Sequence, residues 1–130
     1  MSGLSQEIKK FISDHIHSIE QLEILLLLHS QPDREFTAAA TAQELRIEPD
    51  SAAERLAALS GQQMLAVRAA GGAAEPAYRF APANAHLHSL VQQLAEAYRQ
   101  YRVRVITAIF SKPVDKVRSF ADAFKLRRDE

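Results

Sequence analysis

The chain has 130 residues, 47% of them hydrophobic, and its 16 Lys plus Arg balance its 16 Asp plus Glu to a formal net charge of zero. That composition sets aside wholesale disorder and fits one domain, since domains run to about 100–200 residues. Having no cysteine excludes disulfides, thiolate metal sites and a Cys nucleophile, and the longest strictly apolar run, Ile24 to Leu28, is far short of the roughly 18 residues a membrane span needs.

The N-terminus carries Lys9 and Lys10 ahead of FISDHIHSIE, too polar for a signal peptide, so a soluble cytoplasmic protein without membrane contact is expected. Leu4, Ile8, Phe11, Ile12 and His15 form an amphipathic stripe and predict a helix over 4–16. Ser18 and Gln21 make a capping-box pattern that starts a second helix over 19–30. That helix is apolar all round, with Ile19, Leu22, Leu25 and Leu26 on one side and Ile24, Leu27 and Leu28 on the other. Such a helix is buried, covered by another segment or another subunit. Thr37 caps a short helix over 38–45, and Pro49 suits the first position of a further helix over 49–60. Ala52, Leu56 and Leu59 give the latter its inner face, and Gly61 stands where a C′ residue stops it.

The period then changes to two. Leu65, Val67 and Ala69, then Tyr78 and Phe80, predict a hairpin over 65–81 with Gly71-Gly72 at its tip. Asn84 caps a helix running to about Phe110, on which Leu87, Val91, Leu94, Tyr98, Tyr101, Val105 and Ala108 alternate by four and three. That is the spacing of a helix–helix seam. At 1.5 Å per residue the helix is roughly 40 Å long, too long for a small core to cover. Pro113 begins a last helix with Val114, Val117, Phe120, Ala121 and Phe124 inward and Lys125, Arg127 and Arg128 in its final turn. The fold class is therefore mainly α with a small β-hairpin. Residues 1–83 make the body and residues 84–130 a C-terminal helical arm.

Helix, short helix, turn, helix, hairpin, long helix is the order of a winged helix-turn-helix domain. Residues 36–82 resemble that family in detail. Phe36-Thr37 is similar to its short strand and helix cap, Leu45-x-Ile47-x-Pro49 to its turn, and Ala52-x-x-x-Leu56-x-x-Leu59 to its recognition-helix core. Tyr78-x-Phe80 is similar to the end of its wing. With the flanking helices, the whole chain resembles small bacterial transcriptional regulators of the multiple-antibiotic-resistance (MarR) type. The resemblance implies a homodimer that binds double-stranded DNA. The helix over 49–60 would enter the major groove, the wing would touch the backbone, and two half-sites would lie about 34–36 Å apart. The residues it puts at the DNA are Thr37, Arg46, Ser51, Arg55, Arg68 and Arg79. Leu87, Val91, Leu94, Tyr98, Tyr101 and Val105 would form the dimer interface.

Charge sits awkwardly with that expectation. Residues 1–83 carry a net −4 and residues 84–130 a net +4. The presumed DNA face sets Arg46, Arg55, Arg68 and Arg79 against Glu44, Glu48, Asp50, Glu54 and Glu75, and acids facing phosphates repel. The alternative is a winged-helix protein-interaction module with little DNA affinity. A basic arm of Arg99, Arg102, Arg104, Lys112, Lys116 and Arg118 would suit phosphates or an acidic protein. Tyr98 and Tyr101 are also the aromatics a small-molecule effector pocket would use. The pairs His15-x-His17 and His86-x-His88 have the wrong spacing for a helical zinc site, which needs i, i+4. A buried His15 or His29 would instead titrate near neutral pH. No P-loop, GxSxG or HExxH motif occurs, so neither an enzyme nor a cofactor is expected.

Overall fold

The computed structural model describes residues 4–68 and 75–111. They form six helices and one two-stranded hairpin. The first helix, α1 (Gln6–His15), is capped by Ser5, whose hydroxyl accepts from the Ile8 N–H at 3.2 Å. It buries Ile8, Phe11 and Ile12. The second, α2 (Ile19–Ser30), begins at Ser18, whose hydroxyl accepts from the Gln21 N–H at 3.1 Å. The Gln21 side chain does not close the box on Ser18 itself. Its Oε1 accepts from the His17 N–H at 2.7 Å and its Nε2 donates to the His15 carbonyl at 2.9 Å. One buried amide thus joins the end of α1 to the start of α2.

Leu22, Ile24, Leu25 and Leu28 on α2 are completely buried. Their cover comes from α3 (Ala38–Leu45), α4 (Pro49–Gly61), strand β2 (Ala77–Phe80) and α5 (Ala85–Gln100) of the same chain. Ile19, Leu26 and Leu27 stay partly exposed, so the same chain covers most but not all of this helix's apolar surface. Each fully buried side chain contributes about 1.5–3 kcal/mol through burial.

Thr37 caps α3 as its sequence position predicts, accepting from the Ala40 N–H at 3.1 Å. Arg46 then turns left-handed (φ 58°, ψ 50°) and redirects the chain into α4, which starts on Pro49. The end of α4 differs from expectation. Gly61 is still helical, and the left-handed residue is Gln63 (φ 68°). Gln63 N–H donates to Ser60 O at 3.0 Å and Met64 N–H to Leu59 O at 3.1 Å. This is a Schellman closure with Gln in the place glycine usually takes. The reason is packing: Met64 and Leu59, the apolar pair that accompanies the motif, are both fully buried. Moving the stop two residues earlier would pull Met64 out of the core.

Strand β1 (Leu65–Arg68) pairs antiparallel with β2, Leu65 opposite Phe80 and Val67 opposite Tyr78. Phe36 adds a one-residue third strand, exchanging both backbone hydrogen bonds with Tyr78 at 2.7 and 2.8 Å. Val67 is half exposed, so the alternation expected of β1 holds at Leu65 and fails there. The expected Gly71-Gly72 tip lies outside the described residues.

The single long helix expected from Asn84 to Phe110 is two helices. Asn84 caps α5, its Oδ1 accepting from the Leu87 N–H at 2.8 Å. Tyr101 (φ −131°, ψ 51°) breaks the helix, and α6 (Arg102–Ser111) restarts with the Val105 N–H donating to the Tyr101 carbonyl at 3.0 Å. No proline or glycine marks the break. It lets α6 contact α1, burying Val105 fully and Ile109 almost so. A straight helix would carry both side chains past the core, and their burial outweighs the loss of helical continuity. The expected last helix from Pro113 lies outside the described residues.

The order of elements, with the three-stranded sheet made by Phe36, β1 and β2, is that of a winged helix-turn-helix domain. No helix among the described residues is long and apolar enough to cross a membrane.

Candidate nucleic-acid interface

The α4 helix presents two different faces. Ala52, Leu56 and Leu59 are fully buried against the body. The outward face consists of Asp50, Ala53, Glu54, Ala57 and Ala58, with Glu48 at the N-cap. None of these side chains can donate a hydrogen bond. The donors of α4 are Ser51, Arg55 and Ser60, all half-buried. Ser51 donates its hydroxyl to Glu20 Oε1, and Arg55 Nε donates to the same oxygen at 3.4 Å. Glu20 lies in the first turn of α2, so one carboxylate holds two of the candidate contact residues.

In the hairpin, Arg68 is gripped by Glu35 in a fork, its Nε 3.0 Å from Glu35 Oε2 and its Nη2 bonded to Oε1. Hydrogen bonds from Arg68, with the charges of Arg68 and Arg79, hold the Glu35 carboxyl below the usual carboxylate range and push the Arg68 guanidinium up. Arg68 is exposed and Glu35 is only marginally so, a setting in which such pairs contribute little to stability. Arg79, opposite Ala66, and Arg46, in the turn before α4, are exposed. Neither has a carboxylate within ion-pair distance among the described residues. Arg34 sits 4.4 Å over the Phe36 ring and 3.9 Å from Glu44. Glu75 Oε1 accepts from the Ala39 N–H, at the start of α3, at 3.3 Å. Thr37 serves the same helix start as its cap.

The six candidate contact residues thus lie along α3, the turn, α4 and the wing, but in three different states. Arg46 and Arg79 are open, Ser51, Arg55 and Arg68 are engaged by carboxylates, and Thr37 is a cap. Sequence reading missed Glu20 and Glu35. Each lies more than thirty positions from its partners, at 31 and 35 for Glu20 and 33 for Glu35, so no local spacing announces them.

The expected dimer seam needs correcting. Val91 and Leu94 on α5 are fully buried in the chain's own core, and the break at Tyr101 lets Val105 join them. Leu87, Tyr98 and Tyr101 remain half-buried. The Tyr98 hydroxyl is enclosed without a hydrogen-bond partner among the described residues, and Arg102 lies 4.9 Å over its ring. Exposed Val103 follows on α6. A cleft of about 230 Å³ between α1 and α5 is lined by Leu4, Ile8, Ala97 and Tyr101 among others. It is smaller than the roughly 300–1,000 Å³ of ordinary ligand pockets, and Tyr98 is not in its wall. The basic arm is described only as far as Arg104: Arg99 pairs with Glu96, and Lys112, Lys116 and Arg118 lie outside the described residues.

Four of the five histidines fall in three places. His15 Nδ1 is 3.1 Å from Gln62 Oε1, and the His15 ring packs on Phe11. His86 approaches Glu7 at 3.7 Å. His29 and His88 flank Phe80 at the root of the wing, with ring centroids 5.1 and 5.7 Å away. Burial, and then the nearby His88, lower the His29 pKa. The unfolded chain therefore binds this proton more readily than the folded one. The stabilisation is complete above the ordinary histidine value of about 6.5 and falls as the pH drops below it. Comparing melting temperatures at about pH 7.5 and about pH 5.5 should show a smaller acid loss in His29→Gln than in the unsubstituted chain. An equal loss in both would place the effect elsewhere.

No known protein family's sequence pattern matches the chain, and no curated protein matches it. Solved structures do. The homodimeric winged helix-turn-helix DNA-binding domain of Mb0332 from Mycobacterium bovis is 25% identical, with a TM-score of 0.50 over 74% of this chain and 91% of that one. A variant of ZitR from Lactococcus lactis is 17% identical, with a TM-score of 0.53 over 91% of this chain and 79% of that one. The adhesin competence repressor of Streptococcus pyogenes is 20% identical, with a TM-score of 0.50 over 90% of this chain and 84% of that one. The winged-helix fold is common ground with all three.

Proposed function

We infer that the chain is a DNA-binding transcriptional regulator of the winged-helix type, a cytoplasmic homodimer without enzymatic activity. The observation that carries this reading is the exposed arginine pair, Arg46 and Arg79. They flank α4 on the turn and the wing, the two elements that such domains lay along the DNA backbone. The likeness to a homodimeric DNA-binding domain supports it. Phosphate contact comes first from Arg46 and Arg79, then from Arg68, Ser51, Arg55 and Thr37. Leu87, Tyr98, Tyr101 and Val103 are the remaining candidates for subunit contact.

Arg79→Ala tests this reading. Removing one phosphate contact per chain should weaken binding uniformly across sequences and reduce the log–log salt slope of a dimer by about two, one per copy. Unchanged affinity and slope would count against the wing as a DNA contact. The outward face of α4, acidic and without donors, favours a second reading, a winged-helix module that binds a basic protein surface. That reading predicts no DNA affinity in any variant.

A further inference from the structure

Phosphate recognition needs N–H and O–H groups that are free to take an anionic oxygen. On this face the chain's own carboxylates already hold such groups. Glu20 takes Ser51 and Arg55 of α4, Glu35 takes Arg68 of the wing in a fork, and Glu75 takes the Ala39 N–H at the start of α3. The three acids come from separate segments, yet each presents an oxygen anion to a donor beside α3, α4 or the wing. Of the side-chain donors on α4, only Ser60 lies outside this arrangement.

We propose that Glu20 and Glu35 are built-in competitors of the DNA phosphates, holding the donors of α4 and the wing's Arg68 in a closed state that DNA must displace. The proposal rests on the DNA-binding reading above. In the closed state, of the six candidate contact residues, only Arg46 and Arg79 are open to the duplex. Displacing a carboxylate adds a phosphate contact, but the released anion stays near the backbone and repels it. Neutralising the carboxylate removes both costs at once.

The test measures binding of the full chain to a labelled random-sequence duplex at about 50 mM salt, for Glu20→Gln, Glu35→Gln, the double variant and Asp14→Asn. Asp14 pairs with Lys10 on α1, so its substitution removes the same charge without releasing a donor of α4 or the wing. Each Glu→Gln change should tighten binding about fivefold to tenfold in a dimer, with a steeper salt slope, because two pairs, one per subunit, are released at once. Asp14→Asn should change it less than about twofold, since it frees only the exposed Lys10 on α1. Glu20→Gln also touches α2–α4 packing. Glu35→Gln disturbs only exposed groups and keeps the test decisive if the first variant unfolds. Equal gains for Asp14→Asn and Glu35→Gln would overturn the proposal and leave DNA binding standing. So would binding by every variant at the strength of the unsubstituted chain. No binding by any variant, the double one included, would overturn the DNA-binding reading and the proposal with it.

Discussion

Replacing Phe36 by alanine is expected to lower stability by about 3–5 kcal/mol, a large share of the 5–15 kcal/mol that holds a typical domain together. Phe36 is fully buried and belongs to the same core as Leu22, Leu56, Met64 and Phe80. Its backbone closes the third strand against Tyr78, and the Arg34 guanidinium stacks on its ring. Alanine keeps the backbone bonds and removes the ring, leaving a cavity between the helices and the wing. Phe36→Leu should cost markedly less, because it refills most of that volume. Urea unfolding gives the comparison, as a lower midpoint at an unchanged slope. A loss below about 1 kcal/mol for the alanine variant would mean that the ring does not bind wing to body.

The second large effect is expected at Gln21. This amide is 2% exposed and joins α1 to α2 through the His17 N–H and the His15 carbonyl. Gln21→Leu fills similar space but strands one donor and one acceptor. An unmade bond to a buried polar group costs about 1–3 kcal/mol, and both groups here are partly buried, so a total loss of about 2–3 kcal/mol is expected. Gln21→Glu should fall between the two chains at neutral pH. It can still accept from His17 but cannot donate to His15. Thermal melts of the three proteins order them, and a leucine variant as stable as the original would contradict this role.

Much of this fold is legible in the sequence because local chemistry and tertiary packing agree. Ser5, Ser18, Thr37 and Asn84 all cap helices through their own oxygen atoms. The positions of Ser18, Thr37 and Asn84 follow from a short polar residue placed before an apolar stripe, whereas Ser5 lies inside the helix read over 4–16. The failures share one cause. Tyr101 and Gln63 are ordinary residues in unusual conformations, and what puts them there is the burial of Val105, Ile109 and Met64 by segments distant in sequence. The seam read from Val91, Leu94 and Val105 has the right period but the wrong partner, since periodicity says that a face is covered and not by what. At the candidate interface the same limit applies. Arg55 and Arg68 are recognisable as donors, whereas the carboxylates that occupy them arrive from α2 and the segment before Phe36. The weakness of the face in cations was visible as a charge count. The further engagement of Arg55 and Arg68 by Glu20 and Glu35 was not.

The most direct measurement is binding of the purified chain to a labelled random duplex as salt rises from about 50 to 200 mM. With Arg46 and Arg79 of two subunits engaged, log K should fall linearly with log salt at a slope of about −3 to −4, and more steeply where Arg55 and Arg68 join them. Absence of binding at about 50 mM, or binding indifferent to salt, would contradict the account and point to a protein partner for the acidic face of α4.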